Sequence, residues 1–212
     1  MLPIVTTTRI PMFPLHTVLF PHMLLPLHIF EDRYRTMTRE CLDADGEFGV
    51  VLIERGSAIG GGDDRKEVGT LARILQADEL DDGRWVMVTA GVQRLRVVDW
   101  LEEDPYPLAD VELIEDPEPA PEAAALRDQC IKAIRRMAAM SAELGDPAPP
   151  LNLEISENLR AASYQACAAA APIGTFDRQK LLEIDDPVTR MQALLAMLED
   201  HNEFLNARLA QG

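Results

Sequence analysis

Lysine is scarce in this chain of 212 residues, in which only Lys66, Lys132 and Lys180 occur. Lysine and arginine together number 20 against 36 aspartates and glutamates, so the formal net charge is -16. Affinity for nucleic acids comes mostly from basic side chains that neutralise phosphates. We therefore expect no nucleic-acid partner.

Cysteine is also rare, and Cys41, Cys130 and Cys167 lie far apart with no CxxC pair among them. Such a set indicates reduced thiols rather than a disulfide framework or a zinc knuckle, and reduced thiols are typical of the cytoplasm. No apolar run approaches the roughly 18 residues that a membrane span requires, and no signal-peptide pattern opens the chain. The sequence thus predicts a cytoplasmic protein without a membrane-spanning segment.

Proline, by contrast, is concentrated in one apolar segment, residues 10–34, which contains Pro11, Pro14, Pro21 and Pro26. A proline inside a helix removes a backbone donor and clashes with the preceding turn, so this spacing excludes a helix. The segment must consist of short extended pieces and tight turns at a sheet edge or a barrel corner.

The rest of the first 115 residues has the pattern of strands, with one inserted helix predicted over residues 33–43. Asp82-Gly83 predicts a hairpin with a tight primed turn, and the glycine-rich residues 56–64 predict a loop. Short strands joined by turns are typical of a small antiparallel barrel. Strands are predicted over residues 24–30, 48–53, 68–76, 85–90, 92–100 and 106–114.

The composition changes at residues 115–121, which are acidic and rich in proline, and the chain beyond them has helical periodicity. Asp186-Pro187 is a helix start signal, since proline fits the first helical position. Residues 102–122 hold nine acidic and no basic side chains, so this segment is either a solvated connector or a docking strip for a basic partner. We expect a barrel over residues 1–115, a linker over 116–122 and a helical domain over 123–212.

Four motifs in this chain resemble the N-terminal domain of the Lon protease family. They are IPMFPLHTVLFPHMLLPLHIFEDRYRTMTRECL from residue 10, EVGTLARI from residue 67, VQRLRV from residue 92 and DPVTRMQALL from residue 186. The resemblance covers nearly the whole chain and implies an α+β fold, a PUA-like antiparallel β-barrel with one inserted helix followed by a C-terminal α-helical bundle. It also implies recognition of polypeptides. His16 and His22 stand where the family is expected to have Asn or Asp and Gly.

The motifs for Lon catalysis are absent from this sequence. No GxxxxGK[ST] loop is present to hold nucleotide phosphates, and the glycines at 60–62 precede Asp63-Asp64, whose charge repels phosphate. The serines lack the family's protease motif, in which a lysine base activates the nucleophile. We therefore expect a non-catalytic protein without a cofactor, and peptidase activity is the disfavoured alternative. The serines are Ser57, Ser141, Ser156 and Ser163.

The candidate polypeptide-binding site is the turn formed by Phe20, Pro21, His22 and Met23. The apolar side chains of residues 13–30 are more than one face of a strand can bury. Either most of them lie in the core, or some of them line an exposed groove near Pro21. Methionine adapts to varied apolar partners. The resemblance implies that such a groove holds polypeptide substrates, with a role as an adaptor for a protease or chaperone partner.

Other candidate sites have simpler structural explanations. His16, His22 and His28 recur every six residues, but prolines interrupt the strand that would place them on one face, so we expect no metal site. Glu31 and Asp32 are better explained as helix capping than as a catalytic pair. The remaining alternative is small-molecule or RNA binding by the barrel, for which a basic patch would consist of Arg73, Arg94 and Arg96.

Overall fold

The computed structural model describes residues 7–55, 64–150, 152, 154–170 and 172–210, and the chain divides into two compact units, Met1–Glu115 and Asp116–Gly212. The first unit combines strands with one helix, in agreement with the predicted α+β class. Its elements are β1 (Thr8–Leu15), β2 (Leu24–Ile29), α1 (Asp32–Asp43), β3 (Glu47–Arg55), β4 (Asp64–Glu79), β5 (Trp85–Trp100) and β6 (Leu108–Ile114). The second unit contains α2 (Ala123–Glu143), α3 (Leu159–Ala169), α4 (Thr175–Glu183) and α5 (Pro187–Leu209).

The strands form one sheet in the order β2-β5-β4-β3-β1-β6, and a further pairing of β5 with β6 closes it on itself. The length of β5, 16 residues, makes this closure possible. Its first half pairs with β2 and its second half with β6, while β4 lies along both halves. The prediction of two separate strands around Gly91 is wrong, because Gly91 lies within β5. One pairing also departs from the antiparallel prediction, since β1 and β3 run parallel.

Strand β1 contains Pro11 and Pro14 although it lies inside the sheet, between β3 and β6. The two neighbours pair with different halves of the strand. Residues 8–11 pair with β6, and residues 12–15 pair with β3. Each proline therefore has a neighbouring strand on one side only, and its missing N–H need not leave a gap in the sheet.

Helix α1 packs its apolar side against the sheet. Tyr34, Met37 and Cys41 belong to the buried cluster that includes Phe13 and Phe48. The rings of Tyr34 and Phe13 meet edge to face with their centroids 4.3 Å apart. This helix is the one that the sequence predicts, and it starts one residue earlier than expected.

The capping interpretation of Glu31 and Asp32 needs correction. Glu31 is the N-cap residue of α1, but its side chain makes no capping hydrogen bond. Instead it accepts a bond from Nε of Arg33 at 3.2 Å. Asp32 lies in the first turn, where the helix dipole favours its charge.

The predicted hairpin joins β4 to β5, but its turn differs from the expectation. The connection comprises residues 80–84, with hydrogen bonds of 2.8 Å from Leu80 N to Arg84 O and from Gly83 N to Leu80 O. Only Gly83 of the pair Asp82-Gly83 has a positive φ, +79°. A type I′ turn requires positive φ at both central residues and a type II′ turn requires it at the first, so neither fits, and the five-residue connection is of the longer kind. The predicted loop over residues 56–64 lies outside the described residues except for Asp64, which begins β4.

In the helical unit, α5 begins as predicted at Asp186-Pro187. The Asp186 carboxylate accepts a hydrogen bond from Thr189 N at 2.8 Å. Helix α3 begins at Leu159 rather than near 155, because the Asn158 side chain caps it by accepting from Ala161 N at 3.1 Å. Signals at the helix ends thus set the boundaries more closely than the apolar spacing does.

Arg190 of α5 is fully buried in the helical unit and contacts several segments at once. Its guanidinium donates to Ser163 Oγ at 2.7 Å, to Leu181 O at 3.2 Å and to Ile184 O at 2.6 Å. It also lies 3.9 Å from the ring centroid of Tyr164. One side chain therefore joins α3 to the end of α4 and the start of α5.

The start of the acidic segment is anchored to this unit. Asp116 accepts a hydrogen bond from the Tyr164 hydroxyl, and its side chain is 6% exposed. Arg160 donates to Asp116 O at 3.2 Å and to the Glu118 carboxylate at 2.8 Å. At Asp116 the segment is therefore part of a packed structure rather than a solvated connector.

Candidate functional site

The predicted site, residues 20–23, forms a tight turn. Met23 N donates to Phe20 O at 3.3 Å, Pro21 takes the second position of the turn, and His22 takes the third. The backbone of His22 has a φ of +63°, which is the geometry of a type II turn. Glycine is the residue that this position favours, so a histidine here stores strain.

The turn is fixed to β5 through Gly91. His22 N donates to Gly91 O at 2.8 Å, and Gly91 N donates to Met23 O at 2.9 Å. Thr70 Oγ1 adds a bond of 2.6 Å to Leu19 O. A Cβ at residue 91 would overlap the Phe20 carbonyl oxygen, so only glycine permits this close approach.

The structure does not bring the four predicted side chains to the surface together. Phe20 is 1% exposed and Pro21 is buried, because the docked turn directs both inward. Met23 is half-buried against the core, and only His22 is exposed. A partner at this turn would therefore contact His22 and part of Met23.

A larger apolar surface lies beside the turn, on the outer face of β2 and the first half of β5. Side chains of β2 alternate in burial, so that Leu24, Pro26 and His28 are exposed. The register places Leu24 beside Ala90, Pro26 beside Val88 and His28 beside Val86. These residues share one side of the sheet because paired residues point the same way.

Exposure on this side of the sheet is high for such apolar residues. Leu24 is 62% exposed, Val86 46%, and Leu75, at an irregular point of β4 opposite β5, 58%. Contiguous exposed apolar groups mark interaction sites, whereas scattered ones do not. We call this surface the β2–β5 face, and its members are Leu24, Pro26, His28, Leu75, Val86, Val88 and Ala90.

The free edge of β2 borders this face. Among the described strands, β2 pairs with β5 only. Pro26 lacks the N–H that an added strand would need, and proline at a sheet edge discourages strand addition. The arrangement therefore favours recognition through side chains over extension of the sheet.

A polar cavity of about 550 Å³ lies elsewhere in the first unit, beside Trp100. Arg65 stacks over the Trp100 ring at 4.5 Å and forms a salt bridge with Glu103. Arg33 lies 3.5 Å from the same carboxylate. The cations of this region thus already share an acidic partner within the chain.

The predicted basic patch is not assembled. Arg73 of β4 pairs with Glu47 at 2.6 Å. In β5, Arg94 is 1% exposed, so that only Arg96 of these two arginines is exposed. The three guanidinium groups therefore do not share a surface that could hold RNA phosphates.

The histidines and cysteines provide no reactive cluster. His16, His22 and His28 are each exposed, and no group of three metal-binding side chains occurs in the described part of the chain. Burial raises the pKa of the Cys41, Cys130 and Cys167 thiols to about 12. These thiols stay protonated at neutral pH, which makes them poor nucleophiles.

The described serines occupy structural positions. Ser141 is buried, Ser163 donates to Arg160 O at 2.8 Å, and Ser156 Oγ accepts from Asn158 N at 3.1 Å. Ser57 lies outside the described residues.

Among the described helices, none is both long and apolar enough to cross a membrane.

Solved structures resemble this fold. The Lon N-terminal domain protein from Xanthomonas campestris superposes with a TM-score of 0.62 and 28% identity, over 89% of this chain and 98% of that one. The N-terminal domain of the Mycobacterium avium complex Lon protease gives a TM-score of 0.63 over 92% of this chain and all of that one, and at 18% identity it shows the fold alone.

Sequence comparison leads to the same family. Lon protease 2 of Herpetosiphon aurantiacus is 30% identical over 206 residues, and the match covers 94% of this chain and 25% of that protein. The Lon protease of Vibrio parahaemolyticus is 30% identical over 207 residues, covering 93% and 25%. The chain thus spans about a quarter of the length of these relatives. The model of the ATP-dependent protease La (LON) substrate-binding domain matches residues 9–200, so the chain belongs to the Lon substrate-binding domain family.

Proposed function

We propose that this protein binds exposed apolar segments of polypeptides at the β2–β5 face and does not cleave them. The observation that supports this proposal is the set of exposed apolar residues on the β2–β5 face, of which Leu24, Leu75 and Val86 are each about half exposed or more. A folded protein gains by burying such a surface, and unfolded polypeptides supply the apolar side chains to cover it.

The surrounding contacts favour this use of the face. On the other side of β2, Leu25 and Leu27 pack against the core, and backbone hydrogen bonds fix the turn that precedes β2 to Gly91 of β5. A rigid platform loses little conformational entropy when it binds. We propose that the bound segment is then passed to a protease or a chaperone, for which this chain acts as an adaptor.

Two valines of β5 provide a matched test of the site. Val86 belongs to the face and is 46% exposed, whereas Val98 lies near the other end of the strand and is 55% exposed. Val86→Asp places a charge where apolar groups must be desolvated, and we expect a loss of about 2 kcal/mol, or roughly 30-fold in affinity. Val98→Asp should leave the affinity within about twofold of the wild type.

The measurement is the binding of a permanently unfolded, fluorescently labelled polypeptide, followed by anisotropy. Circular dichroism and tryptophan fluorescence establish that both variants remain folded. Equal weakening by the two substitutions, or no weakening by Val86→Asp, rejects the β2–β5 face as the site. Mass spectrometry of the polypeptide after incubation tests the second half of the proposal, since cleavage products would show that the chain is a peptidase.

A further inference from the structure

The helical unit has a groove between α2 and α5 that the proposed function does not use. Cys130 Sγ contacts Met191 O at 3.5 Å, and Asp146 pairs with Arg208 beyond the other end of α2. The two helices therefore run in the same direction. The groove between them has a volume of about 410 Å³, and its lining residues in the described part of the chain all belong to these two helices.

The two walls of the groove carry opposite charges. Lys132 and Arg136 lie one turn apart on α2, and Glu199 and Glu203 lie one turn apart on α5. All four side chains are exposed, and within the described part of the chain none of them belongs to an ion pair of 4.0 Å or less. Their charges sum to zero, although the whole chain carries -16.

The groove also contains a polar residue within an otherwise apolar stripe. Asn202 follows Leu198 and precedes Leu205 on the buried side of α5, and it is 5% exposed. Its Nδ2 donates to Ala133 O at 3.3 Å, while its Oδ1 has no partner among the described residues. A buried acceptor without a donor lowers stability. In paired helices such an asparagine commonly fixes the register of the two helices, here α2 and α5 of one copy, which holds the two charged walls opposite each other.

We infer that the α2–α5 groove is the contact through which two copies of this chain form a symmetric dimer. A two-fold axis parallel to the groove places α2 of one copy over α5 of the other, so each basic wall faces an acidic wall. A two-fold axis across the groove would oppose like charges instead. The patch is neutral, and it therefore allows two strongly acidic molecules to approach where other surfaces would repel.

Charge reversal of one wall at a time tests this arrangement. The double variant Lys132→Glu with Arg136→Glu has two acidic walls, and Glu199→Lys with Glu203→Lys has two basic walls. Sedimentation equilibrium of the full chain at physiological ionic strength is expected to show a dimer for the wild type. Each double variant alone should dimerise at least tenfold more weakly, and an equimolar mixture of the two should recover a dimer.

Asp200→Lys serves as the control, because Asp200 is an exposed acid of α5 that does not line the groove. This substitution should leave the dimer intact. Circular dichroism shows whether each variant is folded. A wild type that stays monomeric at high micromolar concentration overturns the inference. A dimer that survives both wall reversals, or a mixture that stays monomeric, overturns it as well.

Discussion

Replacing Gly91 with alanine is expected to undo the docking of the 20–23 turn on β5. The added Cβ would overlap the Phe20 carbonyl oxygen and lie 3.1 Å from Cγ2 of Thr70. Relief of this overlap requires the turn to move away from the strand. The hydrogen bonds that join Gly91 to His22 and Met23 would lengthen or break as a result.

The size of the effect follows from these contacts. Two backbone hydrogen bonds contribute about 1 kcal/mol each, and over-packing adds about 1–3 kcal/mol, so the first unit should lose about 3–5 kcal/mol. This loss is a large part of the free energy of unfolding of a typical domain, which is roughly 5–15 kcal/mol. Trp85 and Trp100 both lie in β5, so tryptophan fluorescence in a urea titration reports on this unit.

The control for this prediction is Gly174→Ala. A Cβ at Gly174 would have no neighbour within 4 Å apart from the adjacent residues of the chain, and this residue lies in the helical unit, which contains neither tryptophan, so the tryptophan transition should stay at the wild-type urea concentration. A Gly91→Ala protein whose transition coincides with that of the wild type would refute the described docking. Such a result would mean that the turn can leave β5 at little cost in stability.

The remaining stability predictions concern one strained and one buried residue. His22→Gly removes the cost of a positive φ, which is +63° at this residue. The free energy of unfolding of the first unit, followed by tryptophan fluorescence, should therefore rise by about 0.5–1 kcal/mol. A decrease would mean that the exposed imidazole makes a contact worth more than the strain. Arg190→Met leaves Asp116 without the buried cation that lies 3.6 Å away. The free energy of unfolding of the helical unit, measured by circular dichroism in a urea titration, should fall by about 3–5 kcal/mol. An unchanged helical transition would contradict the role of Arg190 in joining α3, α4 and α5.

Local sequence signals predicted much of the architecture. Alternating apolar residues indicated strands, and the helical period placed α1 almost to the residue. Asp186-Pro187 located the start of α5, where both side-chain capping and a fixed proline φ act within a few residues. These features depend on neighbours in the chain, so one sequence is enough to detect them.

Features that depend on distant residues were not predicted. The parallel pairing of β1 with β3 joins segments that are separated by the whole of β2 and α1. Glycine is required at position 91, within β5, because the carbonyl oxygen of Phe20 in the docked turn leaves no room for a Cβ. In the sequence, Gly91 therefore suggested a break between two strands, whereas in the structure it permits a close contact within one strand.

The candidate site shows the same limit. Apolar residues occupy both alternating positions of residues 23–29, so the sequence does not reveal which of them face outward. The pairing of β2 with β5 exposes Leu24, and the docking of the turn on Gly91 buries Phe20. A polar residue at every second position would have been the signal, and His28 was the only one present in β2.

The most direct test of the proposed binding face is an NMR titration of the isotope-labelled protein with an unfolded apolar polypeptide. Binding at the β2–β5 face should change amide shifts mainly in β2 and the first half of β5, with Leu24, Val86 and Val88 among the most affected. Changes confined to the helical unit or to the region around Val98, or no changes at saturating polypeptide, would contradict it.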